Sequence, residues 1–198
     1  MRFWRFTLSS VLFLLAVSYL TAQRGAITRP NTLEQMTAES QLIVHGYVLG
    51  SHVEPHPDYP NLSTVVVNMK VVDVLKGSTA QQFTFRQFIW DIRDRMDSGG
   101  YRKGQELVLL LGPTSKIGLR SPAGLDQGRF RVERFANGKT KAVNGTGNIS
   151  LFTDRAISTG APAPTNKKIQ ISSQLRANPG SMSLDDLKQI IRAYVGGR

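Results

Sequence analysis

The chain has no cysteine in its 198 residues, and this absence excludes several kinds of chemistry at once. Disulfide bonds, thiolate nucleophiles and thiolate zinc sites are impossible, and so is lipid attachment at an N-terminal cysteine. A secreted domain without disulfides must be held together by packing alone. That is more usual for bacterial exported proteins than for animal ectodomains.

Other residues used in catalysis are also scarce. There are three histidines, all between positions 45 and 56, which leaves little for a hydrolytic triad. The glycine-rich segment Asn144–Asn148 lacks the Lys-Ser/Thr pair of a phosphate-binding loop and is expected to be a turn. Asp91 and Asp94 are interleaved with arginines, as in surface ion pairs. We therefore expect no enzyme activity and no cofactor, with an unrecognised hydrolase as the remaining alternative.

The N-terminus has the features of a secretory signal peptide. Arg2 and Arg5 come before a mostly apolar run, Phe6–Leu20, and small or polar residues follow it. The run is shorter than the roughly twenty apolar residues that cross a bilayer as a helix. We expect residues 1–23 to be a signal peptide and the mature protein to be periplasmic or secreted, and not transmembrane after cleavage. An uncleaved N-terminal anchor is the alternative.

Acidic residues are few relative to basic ones. The chain has 25 lysines and arginines against 14 aspartates and glutamates, a formal net charge of +11. Such a charge favours anionic partners, and nucleic acid is not expected among them for an exported protein. The candidate partners are another protein or an anionic polymer of the cell envelope. The basic residues are spread along the chain, however, and this distribution needs no ligand to explain it.

The middle of the chain is predicted to be β-structure. Apolar or alternating segments are Gln41–Gly50, Ser63–Lys76, Gln82–Trp90, Glu106–Leu111, Gly128–Phe135 and Lys139–Val143. Residues His52–Asn61 contain several prolines and are expected to form a loop. Gly46 is expected at a bulge or a point of close packing. A second bulge is expected at Val72, where the alternation shifts so that Val74 would be buried. Asn137–Gly138 predicts a hairpin turn.

A short helix is predicted ahead of the first strand. Asn31 is a candidate N-cap, because Glu34 follows it at the spacing of a capping box. Pro30 would keep the preceding chain extended. The helix is expected to end near Ser40.

Composition divides the rest of the chain into three parts. Residues 24–157 would form the β-domain, and residues 158–182, rich in proline and small polar residues, would be a flexible linker. Residues 183–198 predict an amphipathic helix, because the cap pair of Ser183 and Asp186 precedes an apolar stripe. The stripe is expected to fold back onto the β-domain, and a partner protein is the alternative.

Three segments, in this order, resemble a known family. They are Ser40–Val48 (SQLIVHGYV), residues 71–77 (VVDVLKG) and Tyr101–Leu111 (YRKGQELVLLL). The pattern is similar to that of the netrin-module family, which includes the tissue inhibitors of metalloproteinases. Members show an I-V-x-G-x-V strand, a strand ending in Lys-Gly and a G-x-x-Y-L-V strand. The resemblance covers about residues 40–111 and implies a mainly β fold: a small OB-like β-barrel, closed or partly open, with flanking helices.

The resemblance also implies a function. It suggests a non-catalytic module that binds another protein, and a secreted protease is one such partner. The family's protease inhibitors chelate zinc through an N-terminal cysteine, and this chain has no cysteine. That part of their chemistry is therefore missing here.

Arginines interleaved with aromatic residues are a candidate ligand site. The candidate residues are Arg86, Trp90, Arg93, Arg95 and Arg131. In OB-type grooves aromatic rings stack on the ligand and arginines hold its anionic groups. As an alternative to binding a protein, the chain would bind an envelope polyanion or polysaccharide on this basic and aromatic sheet face. In the other interpretation the aromatic residues form the core and the arginines its solvated outer face.

His52, His56 and Asp58 are a candidate metal site. In an extended segment alternate residues point the same way, so these side chains and Glu54 could converge on one ion. A polar, proline-rich loop without metal is the other interpretation. His45 lies within a predicted strand and is expected to be packed or hydrogen-bonded.

Overall fold

A six-stranded antiparallel β-sheet forms the centre of the protein in the computed structural model, which describes residues 29–89, 95–152, 175 and 178–197. The strands are β1 (Leu42–His56), β2 (Tyr59–Lys76), β3 (Gln82–Phe88), β4 (Glu106–Leu111), β5 (Arg129–Arg134) and β6 (Thr140–Asn144). Helix α1 (Leu33–Glu39) precedes the sheet and helix α2 (Leu184–Gly196) follows it. The prediction of a mainly β protein with flanking helices is confirmed. The predicted signal peptide and most of the predicted linker lie outside the described residues.

The strand order is β3-β2-β1-β4-β5-β6, so β1 pairs with both β2 and β4. The sheet separates two apolar layers, because alternate residues of a strand point to opposite faces. On one face, Ile43, Val108 and Phe130 pack with residues of both helices. On the other, Val67 and Leu109 belong to a second buried cluster. Every residue of β4 is buried, as its unbroken apolar run predicts.

The sheet is not closed into a barrel by its strands. The chain after β4 runs back along β3, where Leu119 forms an isolated parallel bridge with Arg86. Pro122 then forms a second isolated bridge with Leu111, at the end of β4. The segment 115–122 therefore spans part of the gap between β3 and β4. The OB-like barrel implied by the resemblance stays a prediction.

Strands β1 and β2 approach each other closely at Gly46. The register of β1 against β2 shifts between His45 and Gly46. A Cβ atom at Gly46 would lie 2.1 Å from the backbone oxygen of Lys70, so only glycine allows this approach. The close packing predicted at Gly46 is confirmed, while the extra residue at this register shift is Val72 of β2, because β1 pairs with β4 without interruption here.

The segment predicted to be a proline-rich loop is part of a long hairpin. Strand β1 continues to His56 and β2 begins at Tyr59, so the loop prediction for His52–Asn61 was wrong. The prolines fit because this half of β1 pairs with β2 alone; β4 reaches only as far as Tyr47. On such a strand edge the N–H that Pro55 lacks is not needed for pairing.

Helix α1 begins one residue later than predicted. Its N-cap is Thr32, which forms a capping box with Gln35. Asn31 instead donates its backbone N–H to Oε1 of Gln127 at 2.8 Å. This contact with a residue distant in sequence replaces the predicted local cap. The helix ends at Glu39, close to the predicted end.

Helix α2 packs on the sheet, and its predicted cap pair, Ser183 and Asp186, is confirmed as a capping box. Ile191 of the apolar stripe is fully buried. Met182 was assigned to the linker, but it is also fully buried, and its carbonyl accepts the N–H of Ala142 at 2.9 Å. The end of the predicted linker is thus part of the folded domain, because β6 offers it a hydrogen-bonding edge. Among the described residues no helix is long and apolar enough to span a membrane.

The alternation shift predicted at Val72 is present, because the pairing with β1 skips this residue. The predicted burial of Val74 was wrong, since 38 % of its surface is exposed. Asp73 turns toward α2, where its Oδ2 contacts Lys188 at 2.5 Å and Arg192 at 2.6 Å. The neighbouring valines consequently point to the opposite side of β2.

Replacing Gly46 with alanine is expected to destabilise the fold, since the new Cβ would overlap the Lys70 carbonyl oxygen. We expect the free energy of unfolding to fall by about 1–3 kcal/mol, the range for overpacking. Urea denaturation measures it. Gly50→Ala is the matched control, because a Cβ there meets no atom within 4 Å. Equal stability of the two variants would contradict the close-contact account of the bulge.

Candidate functional site

A buried cluster of ionisable side chains joins β1, β4 and β5. His45 Nε2 lies 2.8 Å from Glu106 Oε1, and these two side chains are 5 % and 6 % exposed. Arg134 donates its Nε to Glu106 Oε2 at 2.7 Å and its Nη2 to Oε1 at 2.6 Å. This is the bidentate arrangement in which an arginine binds a carboxylate most strongly. The carboxylate is therefore fully partnered within the protein.

The cluster is charged at neutral pH. Burial acts to raise the pKa of Glu106, but hydrogen bonds from Arg134 and His45 outweigh it and hold this pKa below its ordinary value of 4.5. The same hydrogen bonds raise the pKa of Arg134 above its ordinary value. The Arg134 side chain is 56 % exposed, so the cluster reaches solvent through its guanidinium group.

His45 uses only one of its ring nitrogens. Its Nδ1 is buried and has no hydrogen-bond partner in the described part of the chain. A hydrolytic dyad would place a nucleophilic hydroxyl at this nitrogen. Here the contacts of Glu106 with His45 and Arg134 instead join three neighbouring strands. His45 is thus packed and hydrogen-bonded, as its position within a strand predicts.

The candidate metal ligands are held apart by their own hydrogen bonds. His56 is buried; its Nε2 donates to the Ile117 carbonyl at 2.7 Å, and its Nδ1 accepts the Asp58 N–H at 3.1 Å. His52 Nε2 lies 3.1 Å from a carboxylate oxygen of Glu54. Within the described ranges no group of three or more His, Asp or Glu side chains could hold a metal ion. Strand β1 ends at His56 and Asp58 lies in the hairpin turn, so the three candidate ligands do not follow one another along a single extended segment.

Arg86, the first of the candidate arginines, is engaged within the protein. Its Nη2 lies 2.5 Å from Glu54 Oε1, and its Nη1 donates to the Thr64 hydroxyl at 2.7 Å. The neighbouring Phe85 is buried in the core. At this position the aromatic residue belongs to the core and the arginine to its outer face, and this describes the structure better than a ligand-binding groove does.

Arg131 does not share a surface with Arg86. Arg95 and Arg131 are exposed, and Arg131 lies on β5, four strands away from β3 in the sheet order. Phe130, beside Arg131, is fully buried. Trp90 and Arg93 lie outside the described residues.

The β6 edge of the sheet is covered by the chain itself. The N–H of Ala142 donates to the Met182 carbonyl, and the carbonyl of Ala142 accepts from Asn148 Nδ2 at 2.8 Å. The N–H of Asn144 donates to Asn148 Oδ1 at 2.9 Å. The segment Asn144–Asn148 is a turn, as predicted, and its last side chain closes this strand edge.

The opposite edge of the sheet is β3, and its pairing with β2 shows which backbone groups face outward. The Val71 N–H donates to the Gln81 carbonyl at 2.7 Å, and the Ile89 N–H donates to the Ser63 carbonyl at 3.3 Å. In an antiparallel ladder hydrogen-bonded residues alternate with outward-facing ones. The odd-numbered residues of this strand therefore bond to β2, and the even-numbered residues present their N–H and C=O groups outward.

Only the second half of this β3 edge is covered. The Arg86 carbonyl accepts the Arg120 N–H at 2.7 Å, from the segment that runs back along β3. Gln82 and Thr84 are exposed, and within the described ranges their outward backbone groups have no backbone partner. We call the backbone of these two residues the open edge.

A cleft of about 390 Å³ lies beside the open edge. Its lining includes Leu49, Asn68, Phe83 and Thr84. Leu49 is 39 % exposed, so the cleft offers apolar contact as well as backbone groups. An extended chain placed here would find both main-chain partners and a recess for side chains.

The open edge has only a faint signal in the sequence. Gln82 and Thr84 alternate with Phe83 and Phe85, which predicts one polar and one apolar strand face. Whether a strand lies at an edge depends on the strand order, and no local pattern encodes it.

No family model, curated protein or solved structure matches this chain. The candidate sites are therefore compared by their geometry and chemistry. The buried cluster and the Arg86 ion pair are satisfied internally, whereas the open edge has no backbone partner among the residues that the structure describes. The open edge is the strongest candidate for a functional surface.

The buried carboxylate should make stability depend on pH. Because the pKa of Glu106 is lower in the folded than in the unfolded protein, its contribution is present above about pH 4.5 and is lost as the pH falls through the folded-state pKa. Glu106→Gln should cost about 1–3 kcal/mol at neutral pH, because hydrogen bonds to a buried group are lost while the remaining charge on Arg134 is half-exposed. Its unfolding free energy should then decline less on acidification than that of the wild type.

Urea denaturation between neutral and acidic pH measures this difference. Glu39→Gln, at an exposed position in α1, is the control and should follow the wild-type curve. Parallel curves for wild type and Glu106→Gln would contradict a carboxylate that is ionised and paired in the folded state.

Proposed function

We propose that this chain is an exported, non-catalytic binding module that takes an extended segment of a partner protein onto the open edge of β3. The observation that carries the proposal is the contrast between the two sheet edges. The β6 edge is closed by the chain's own groups, while the outward donors and acceptors of Gln82 and Thr84 have no backbone partner in the described ranges of the chain. Strand addition to a sheet edge uses groups of this kind.

The geometry limits the length of the added strand. Each outward-facing residue offers one N–H and one C=O, so the open edge provides about four main-chain hydrogen bonds. The Arg86 carbonyl is already occupied by Arg120, and the added strand must end there. Affinity beyond these bonds would come from side chains in the adjoining cleft, which Leu49 and Phe83 help to line.

Export is the part of the proposal that rests on sequence. The positively charged start, the apolar run Phe6–Leu20 and the small or polar residues after it favour a periplasmic or secreted protein. The resemblance to netrin modules further suggests an OB-like barrel and, as one kind of partner, a secreted protease. Without a cysteine, an inhibitor of this kind would have to act through strand pairing rather than zinc chelation.

Binding of an envelope polyanion or polysaccharide is the second candidate function. The exposure of Arg95 and Arg131 favours it. Arg86 contributes less, because its guanidinium group is paired with Glu54. Polyanion binding would weaken steeply with salt through counterion release and would not depend on the backbone of β3.

Thr84→Pro is expected to weaken binding of an extended peptide at least tenfold. Proline removes the outward N–H, yet it leaves the ladder with β2 in place, because proline is tolerated where a strand N–H faces solvent. The probe is the tightest binder selected from a library of short random peptides displayed against the mature protein. Fluorescence anisotropy gives its Kd for each variant.

Thr84→Val is the matched control, since it removes the hydroxyl group but keeps the backbone N–H. It should bind the peptide like the wild type, and urea denaturation should show that both variants are folded. Equal affinity of the wild type and Thr84→Pro would contradict strand addition at this edge.

A further inference from the structure

Basic residues lie beside the open edge on β2 and in the loop next to β1 at the far side of the cleft, and they indicate what kind of strand the edge selects. We infer that the bound segment is acidic: an extended stretch of partner polypeptide rich in aspartate or glutamate. This inference rests on the proposed function, because it names the chemistry of the strand that the open edge accepts.

Lys70 is placed beside the open edge by strand register. It lies directly opposite Gln82 of β3 on one side and Tyr47 of β1 on the other, and it is exposed. Cross-strand partners point to the same face of a sheet. A strand added outside β3 would lie about 10 Å from β2, two strand spacings away. A lysine and a glutamate side chain together can bridge that distance.

Two further cations lie in the loop before β4. The Gly104 N–H donates to the Val48 carbonyl at 2.8 Å, which fixes the loop next to Leu49 at the cleft. Arg102 and Lys103, just ahead of this glycine, are exposed. The cleft is therefore approached by basic residues from β2 and from this loop.

These cations are not neutralised within the part of the chain that the structure describes: Lys70, Arg102 and Lys103 form no ion pair there. Other basic residues behave differently, since Arg86 is paired with Glu54. Glu106 lies opposite Tyr47 on β4, but it is buried and bonded to Arg134. A partner must supply the counter-charge for this region.

The open edge favours an acidic polypeptide over two other occupants. A second copy of this chain, paired β3 to β3, would bring the Lys70 side chains of both copies to the same interface, and like charges oppose that pairing. A polyanion such as polyphosphate would satisfy the cations but cannot donate hydrogen bonds to the outward carbonyls of Gln82 and Thr84. An acidic strand satisfies both the charges and the backbone groups.

Two synthetic peptides test the inference. Both alternate threonine with a second residue, which is glutamate in one peptide and glutamine in the other. Their binding to the mature protein is measured by fluorescence anisotropy at low and at physiological salt. At low salt the glutamate peptide should bind at least tenfold more tightly than the glutamine peptide. Lys70→Gln/Lys103→Gln should lose most of this preference. Lys139→Gln/Lys141→Gln, which makes the same charge change at the β6 side, should keep it.

Thr84→Pro separates failure of this inference from failure of the proposed function. If both peptides bind equally and both are lost in Thr84→Pro, the acidic preference is overturned while strand addition stands. If the glutamate peptide binds Thr84→Pro as well as the wild type and polyphosphate displaces it, the site is a polyanion surface and both proposals fail. If the wild type binds neither peptide, both are also overturned.

Discussion

The close approach of Gly46 to the carbonyl of Lys70 is the contact on which the rest of the sheet depends. It lies in the half of β1 that pairs with β4 as well as β2, and beyond Tyr47 the strand continues with β2 alone as a hairpin. The unbroken register of β1 with β4 at this point places His45 beside Glu106. Lys70, whose carbonyl meets Gly46, also lies opposite Gln82 at the sheet edge.

Most side chains of a kind used in catalysis or ligand binding serve here to hold the structure. Glu106 receives hydrogen bonds from two strands, both ring nitrogens of His56 are used, and Arg86 is paired across the sheet with Glu54. Most buried polar groups are hydrogen-bonded within a protein, and groups that are bonded in this way are not free to act on a ligand. What remains for a partner is backbone at an uncovered strand edge and the unpaired cations around it.

Features with a local cause could be predicted from the sequence, and features set by strand order could not. The apolar run of β4, the Asn137–Gly138 turn and the cap at Ser183 follow from neighbouring residues, and each has its predicted place. Asn31 lost its predicted role as a cap because Gln127, far along the chain, bonds to it. The proline-containing hairpin and the open edge likewise depend on which strands lie side by side, and hydrophobic pattern does not specify that.

Amide hydrogen exchange, followed by NMR on the protein alone, tests most directly whether the two sheet edges differ. An uncovered N–H exchanges quickly, whereas one bonded within a stable sheet is protected. We predict fast exchange at Gln82 and Thr84, with protection at Phe83 between them and at Ala142 and Asn144 on β6. Protection of Gln82 and Thr84 as strong as that of Ala142 would show that the β3 edge is already covered, and would contradict the account.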